Sequence, residues 1–158
     1  MVSAFKLPYL DSSVYIAALK EEIGRVDIAK RILDDAKDGK LQVVASTFVI
    51  VEVIKGNETG ILTAEQERVV DDFFQHPFIT WVELDMSVAR DARRLARQHG
   101  LKPADAVHLA SAIRGGADQL LRWDNGFRLK ENETYEKVTV CEPHLVGRPE
   151  PLPGLENA

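Results

Sequence analysis

Five short apolar runs recur along the chain, with stretches of helical periodicity between the first four, and this alternation limits the fold more than any other feature. The runs are FKLPYL (5–10), LQVVAS (41–46), ITWVEL (79–84), DQLLRW (118–123) and KVTVCE (137–142). They are short and rich in Val and Leu, as strands are when both faces are covered. The first run is followed by SSVYIAALKEE (12–22). RVDIAKRILDDAKDG (25–39) then puts Val26, Ala29, Ile32, Leu33 and Ala36 on one helical face and closes on Gly39. STFVIVEVIKG (46–56) opens with two hydroxyl residues and stops at a glycine, and TAEQERVVDDFFQH (63–76) opens with a Thr-x-x-Gln capping pattern. MSVARDARRLARQHG (86–100) turns Val88, Ala92, Leu95 and Ala96 inward and a row of arginines outward, while PADAVHLASAIRGG (103–116) has proline in its first turn and glycines at its exit. Strands alternating with helices, with no hairpin signal until the last pair, predict an α/β fold around a mainly parallel sheet of about five strands.

The length of 158 residues suits one domain with a real core, expected over residues 1–145, followed by a Pro/Gly-rich tail over 146–158 that lies on the surface or stays disordered. A lone cysteine, Cys141, rules out an internal disulfide and a cysteine-built zinc cage. No apolar run approaches bilayer-spanning length, and the first residues lack a signal-peptide layout, so a cytoplasmic protein without membrane contact is expected. The net charge of −5 argues against holding nucleic acid by bulk electrostatics. It leaves room for a local basic face, or for a site where metal ions supply the positive charge.

Ligand sites in parallel sheets form beyond the C-terminal strand ends, so the acidic residues expected there matter most. Asp11 follows the first run directly and Asp124 follows the fourth. Glu52 lies one to two turns into the helix after the second, and Asp105 lies in the first turn of the helix leading into the fourth. Each has an ordinary structural reading. Asp11 is a good N-cap for a helix starting at Ser12. Asp105 gains about 0.3–1 kcal/mol from a helix N-terminus. Asp124 begins DNG, a turn sequence. Glu52 resists such a reading, because Val49, Ile50, Val51, Val53 and Ile54 surround it in sequence and a buried carboxylate needs a partner or a cation. Four carboxylates from four segments can meet only if something offsets their repulsion. Mg²⁺ or Mn²⁺, one or two per site, prefers oxygen ligands and matches metal-assisted phosphodiester hydrolysis. His108, one turn after Asp105, reads as a packing residue or a support for the ligands. Asp85 reads as a helix cap, Asp34, Asp35, Asp71 and Asp72 as solvated helix faces, and Asp118 as standing at the wrong strand end.

Three pieces, LDSSVYIAAL (10–19), STFVIVEVIKG (46–56) and LKPADAVHLASAIRGGADQLLRWDNGFRL (101–129), resemble the PIN domain family, and within it the VapC-like toxins of toxin–antitoxin pairs. The last piece is the most specific, with an Asp-Ala-x-His-x-Ala-x-Ala helix, a Gly-Ala-Asp turn, a strand and Asp-x-x-Phe. The resemblance implies a three-layer α/β/α sandwich and a Mg²⁺- or Mn²⁺-dependent endoribonuclease. It implies a catalytic, metal-holding quartet of Asp11, Glu52, Asp105 and Asp124, the four residues that the strand-end argument selects. It also implies homodimers, an RNA substrate and an antitoxin that obstructs the site. One position departs from the family: relatives carry Thr or Ser two residues before the last Asp, and here Arg122 stands in RWD. Arg122 and Ser12 are therefore expected beside the metal ligands, with Arg122 in reach of either the carboxylates or a phosphate. Lys55, Lys102 and Arg114 are expected to hold RNA. The arginines at 90, 93, 94 and 97 read first as a solvated face. The alternative to an enzyme is a non-catalytic PIN-like module binding RNA or protein. A phosphoacceptor receiver domain ranks below both, since KVTVCEP offers no lysine where that class needs one.

Overall fold

The computed structural model describes residues 6–54, 60–123 and 133–146. Lys55, Asp124 and the tail beyond residue 146 lie outside the described residues. The elements run β1 (Pro8–Leu10), α1 (Ser12–Leu19), α2 (Val26–Lys37), β2 (Val43–Ser46), α3 (Thr47–Glu52), α4 (Ala64–Phe74), β3 (Ile79–Val82), α5 (Met86–His99), α6 (Pro103–Arg114), β4 (Gln119–Leu121), β5 (Thr134–Tyr135) and β6 (Val138–Cys141). The strands form one sheet in the order β3-β2-β1-β4-β6-β5. All pairings are parallel except β5 with β6. The sheet thus has six described strands where about five were expected. The addition is the two-residue β5, whose hairpin turns through Glu136 and Lys137, both at positive φ. The two strands read from sequence on either side of it, β4 and β6, pair parallel with each other.

Strand alternation divides the core between the two faces of the sheet. Leu10, Val43, Ala45 and Leu121 point to one face, where α1, α2 and α4 cover them with Val14, Ala17, Ala29, Ile32, Val70 and Phe73. Tyr9, Val44 and Leu120 point to the other, beneath Val88, Ala92 and Leu95 of α5 and Ala106, Leu109 and Ala110 of α6. This is a three-layer α/β/α sandwich. Val146 is also buried in the first cluster, so packed chain reaches into the segment read as tail.

The helix ends follow the sequence signals. Thr63 caps α4 in a reciprocal capping box with Gln66. Gly100 ends α5 at φ 65°, a left-handed cap that favours glycine, and Pro103 opens α6. Two expectations need correction. Asp35 is buried, not solvated, at 6% exposure, because it sits one turn after Ile32 on the inward stripe of α2. The apolar neighbours of Glu52 do not bury it: Ile50, Val51 and Ile54 are 46%, 62% and 50% exposed, because α3 is only six residues long and turns one face outward.

Candidate active site

The strand order reverses direction at β1, which has β2 on one side and β4 on the other. A crevice opens at such a point beyond the strand ends. Leu10 pairs with Leu121, so the next residues along, Asp11 and Arg122, emerge side by side. The Asp11 backbone N–H donates to the Leu121 carbonyl at 3.3 Å. Asp11 is the N-cap of α1, and its Oδ1 accepts from the Ser13 N–H at 2.9 Å and from the Ser13 hydroxyl in a short hydrogen bond. The Ser13 hydroxyl in turn accepts from the Trp123 N–H at 3.2 Å, tying the end of β1 to the end of β4. The capping role expected of Asp11 is therefore real, and it fixes the carboxylate at the crevice. The side chain is 6% exposed. Burial pushes its carboxyl above the ordinary range, against the opposing influence of His108, the Ser13 hydrogen bonds and Arg122.

Asp105 stands in the first turn of α6 and is 3% exposed. Its Oδ2 has no hydrogen-bond partner among the described residues. Burial pushes its carboxyl up to about 6, with the Arg122 charge the strongest opposing influence, followed by His108; Asp11 adds to the rise and Lys102 opposes it.

Glu52, the last residue of α3, accepts a hydrogen bond from His108 Nε2 at 2.6 Å. The partner its position called for is thus an imidazole. The other ring nitrogen, Nδ1, lies 2.6 Å from the Tyr9 hydroxyl, which accepts from the Ser46 N–H at 3.3 Å. Nε2–H donates to Glu52, and Nδ1 shares the second hydrogen bond with the Tyr9 hydroxyl, which completes the chain. Tyr9 keeps its proton for this, since burial above all, with the charge of Asp11 next, holds its hydroxyl well above the ordinary tyrosine range.

Asp11, Ser12, Ser13, Glu52, Asp105 and His108 line one cavity of about 110 Å³, with Glu22 and Arg25 also in its wall. The structure therefore brings together three of the four acids named from sequence, along with Ser12 and His108. Arg122 is 3% exposed and is not among the described residues that line the cavity, so it is set back from the cavity wall. Arg114 is not at the site either. It ends α6, roughly 14 Å along the axis from Asp105 at the α-helical rise, and bonds Asp91 at 2.9 Å and Ser87 at 2.6 Å. Lys102, at the N-cap of α6, is exposed and acts on Asp105. The row Arg90, Arg93, Arg94 and Arg97 is exposed, and Arg94 pairs with Glu136 at 3.0 Å, which agrees with a solvated face.

Sequence reasoning missed Ser13, Tyr9 and Arg25. The first was open to inference, since an N-cap aspartate bonds two residues on. Arg25 is placed by tertiary structure, with its guanidinium 5.3 Å from the centre of the Trp123 ring.

The set suits a hard divalent cation in its chemistry: buried carboxylate oxygens, one of them on Asp105 without a hydrogen-bond partner, in a small cavity. Among the described residues no group of three or more His, Cys, Asp or Glu closes into a ligand cage. Mg²⁺ does not require one, since it keeps several waters and is bound by one or two carboxylates.

A family model described as the PIN domain matches residues 9–132. The chain belongs to the PIN domain family. Two Mycobacterium tuberculosis proteins, ribonuclease VapC45 and ribonuclease VapC49, are each 33% identical to this PIN domain protein over 126 residues, covering 75% of this chain and 84% of each relative. Among solved structures, M. tuberculosis VapC20, a toxin that cleaves the sarcin–ricin loop, superposes with a TM-score of 0.59 at 15% identity, covering 75% of this chain and 91% of that one. VapBC2 of Rickettsia felis, bound to a DNA fragment from its promoter, superposes at 0.57 with 14% identity, covering 86% and 98%. A toxin–antitoxin complex from Klebsiella pneumoniae gives 0.55 at 18%, covering 75% and 88%. At these identities the solved structures speak for the PIN fold. No helix among the described residues is long and apolar enough to cross a membrane.

Proposed function

We propose that this protein is a metal-dependent endoribonuclease, the toxin of a VapBC-like toxin–antitoxin pair, which hydrolyses RNA phosphodiester bonds. The observation that carries the proposal is the convergence of Asp11, Glu52 and Asp105, from three separate segments of a PIN domain, on one cavity at the point where strand order reverses. Asp11 and Asp105 would hold Mg²⁺ or Mn²⁺, with Glu52 completing the acidic wall and Asp124 as the fourth acid named from sequence. When bound, such an ion supplies a Lewis acid and lowers the pKa of water. The chain's own residues do the rest. Ser13 and the helix N-terminus hold Asp11 in place, His108 fixes the Glu52 carboxylate, and Lys102 and Arg25 put positive charge near a site that must admit a polyanion.

An antitoxin partner is supported by the toxin–antitoxin complexes among the structural neighbours. It is also supported by an apolar groove of about 220 Å³ between α1, α2 and α4, lined by Tyr15, Leu19, Leu33, Val69 and Phe74 among others. Among the described residues, Asp11, Glu52 and Asp105 do not line that groove.

The test is incubation with total RNA in Mg²⁺ or Mn²⁺, with the cut ends mapped. Asp11→Asn and Asp105→Asn should each lower cleavage about a hundredfold or more, the loss expected when several kcal/mol of charge stabilisation is removed. Full activity in both variants would refute the site.

A further inference from the structure

Arg122 is a buried cation whose charge bears on the carboxylates of this site. The β1–β4 register sets it beside Asp11, since both follow the paired residues Leu10 and Leu121. Alternation fixes its direction: Leu10 and Leu121 face α1 and α2, so the next residue on each strand turns to the face covered by α6, which carries Asp105. Its backbone is held from the far side, donating to the Cys141 carbonyl of β6 at 3.1 Å. Its charge bears on both Asp105 and Asp11. At 3% exposure it is set back from the cavity wall that the carboxylates form.

We infer that Arg122 is a fixed counter-charge occupying the electrostatic place of a second metal ion, so that this site binds a single divalent cation. The inference rests on the metal-dependent reading above and deepens it. A buried +1 charge beside two carboxylates lowers the negative charge that a cation pair would need and repels the second ion directly. An uncharged side chain at this position would impose no such limit.

The test is calorimetric titration of the full chain with Mn²⁺, together with the thermal shift that Mn²⁺ produces, in wild type, Arg122→Gln and Arg122→Lys. Wild type and Arg122→Lys should bind one ion. Arg122→Gln should bind two, with the first about tenfold tighter or more, the size of effect typical of residues behind metal ligands, and with a larger Mn²⁺-induced rise in melting temperature. Two ions in wild type would overturn the inference, as would unchanged stoichiometry in a folded Arg122→Gln. If Arg122→Gln fails to fold, the wild-type count still decides. RNA cleavage is scored separately: a cutting enzyme that binds two ions sinks this inference alone, whereas a chain that binds no ion and cuts nothing sinks the functional reading with it.

Discussion

Asp105 makes the metal-free protein pay for its own active site, and the cost can be read as a pH dependence of stability. Its carboxyl has an ordinary value of 3.8 and is pushed up to about 6 in the fold, chiefly by burial. The folded state therefore holds the proton more tightly than the unfolded chain. Relative stability is full below pH 3.8 and is lost as the pH rises to about 6. A shift of this size amounts to about 3 kcal/mol, or roughly 6–12 °C in melting temperature for a domain of this length. Asp105→Asn removes the ionisation and keeps the shape. Asn brings its own buried amide, which changes stability by about 1–2 kcal/mol at every pH, so the pH-dependent part is the test. In urea unfolding with chelator present, the variant should gain about 2 kcal/mol on wild type between pH 4 and pH 7.5, since part of the loss has already occurred at pH 4. Asp11 titrates in both proteins, and relief of its repulsion by Asp105 acts in the same direction. Saturating Mn²⁺ should restore wild type at pH 7.5 and leave the variant unmoved. A stability difference flat across that pH range would refute the claim that Asp105 is held ionised at a cost.

Other expectations follow from the same geometry. Tyr9→Phe strips the partner from the Ser46 N–H and from His108 Nδ1, both buried, and should cost about 1–3 kcal/mol by denaturant unfolding. Gly115→Ala drives a Cβ to 2.4 Å from Val44 Cγ1 and 3.0 Å from Val82 Cγ2, so it should destabilise by about 1–3 kcal/mol although the backbone angle itself is ordinary. Arg114→Ala breaks a half-exposed ion pair at the far end of α6; it should leave RNA cleavage unchanged and cost under about 1 kcal/mol of thermal stability.

The sequence carried the architecture wherever a local rule acts. Thr63 with Gln66, Gly100 and Pro103 are local signals, and each marks a helix end within a residue or so. The strand-end argument worked for Asp11 and Asp105 because a parallel sheet exports its C-terminal ends to one edge whatever the details of packing. It overstated the burial of Glu52 because apolar neighbours in sequence predict burial only if the helix is surrounded, and α3 is covered on one side only. It missed the Tyr9–His108 contact because the two residues lie 99 positions apart and meet only after β1 slides beneath α6. Arg114, named for holding RNA, ends the helix that Asp105 begins, and a straight helix carries its last turn away from its first. Arg122 lies between these cases. The family resemblance leads one to expect a hydroxyl there, and the sequence puts an arginine in RWD, but leaves open whether it meets carboxylate or phosphate. That choice depends on which way the strand end turns. A residue one step past Leu121 faces opposite to it, toward α6 and Asp105, and is buried there. Strand parity, not residue type, makes this arginine part of the site's charge balance.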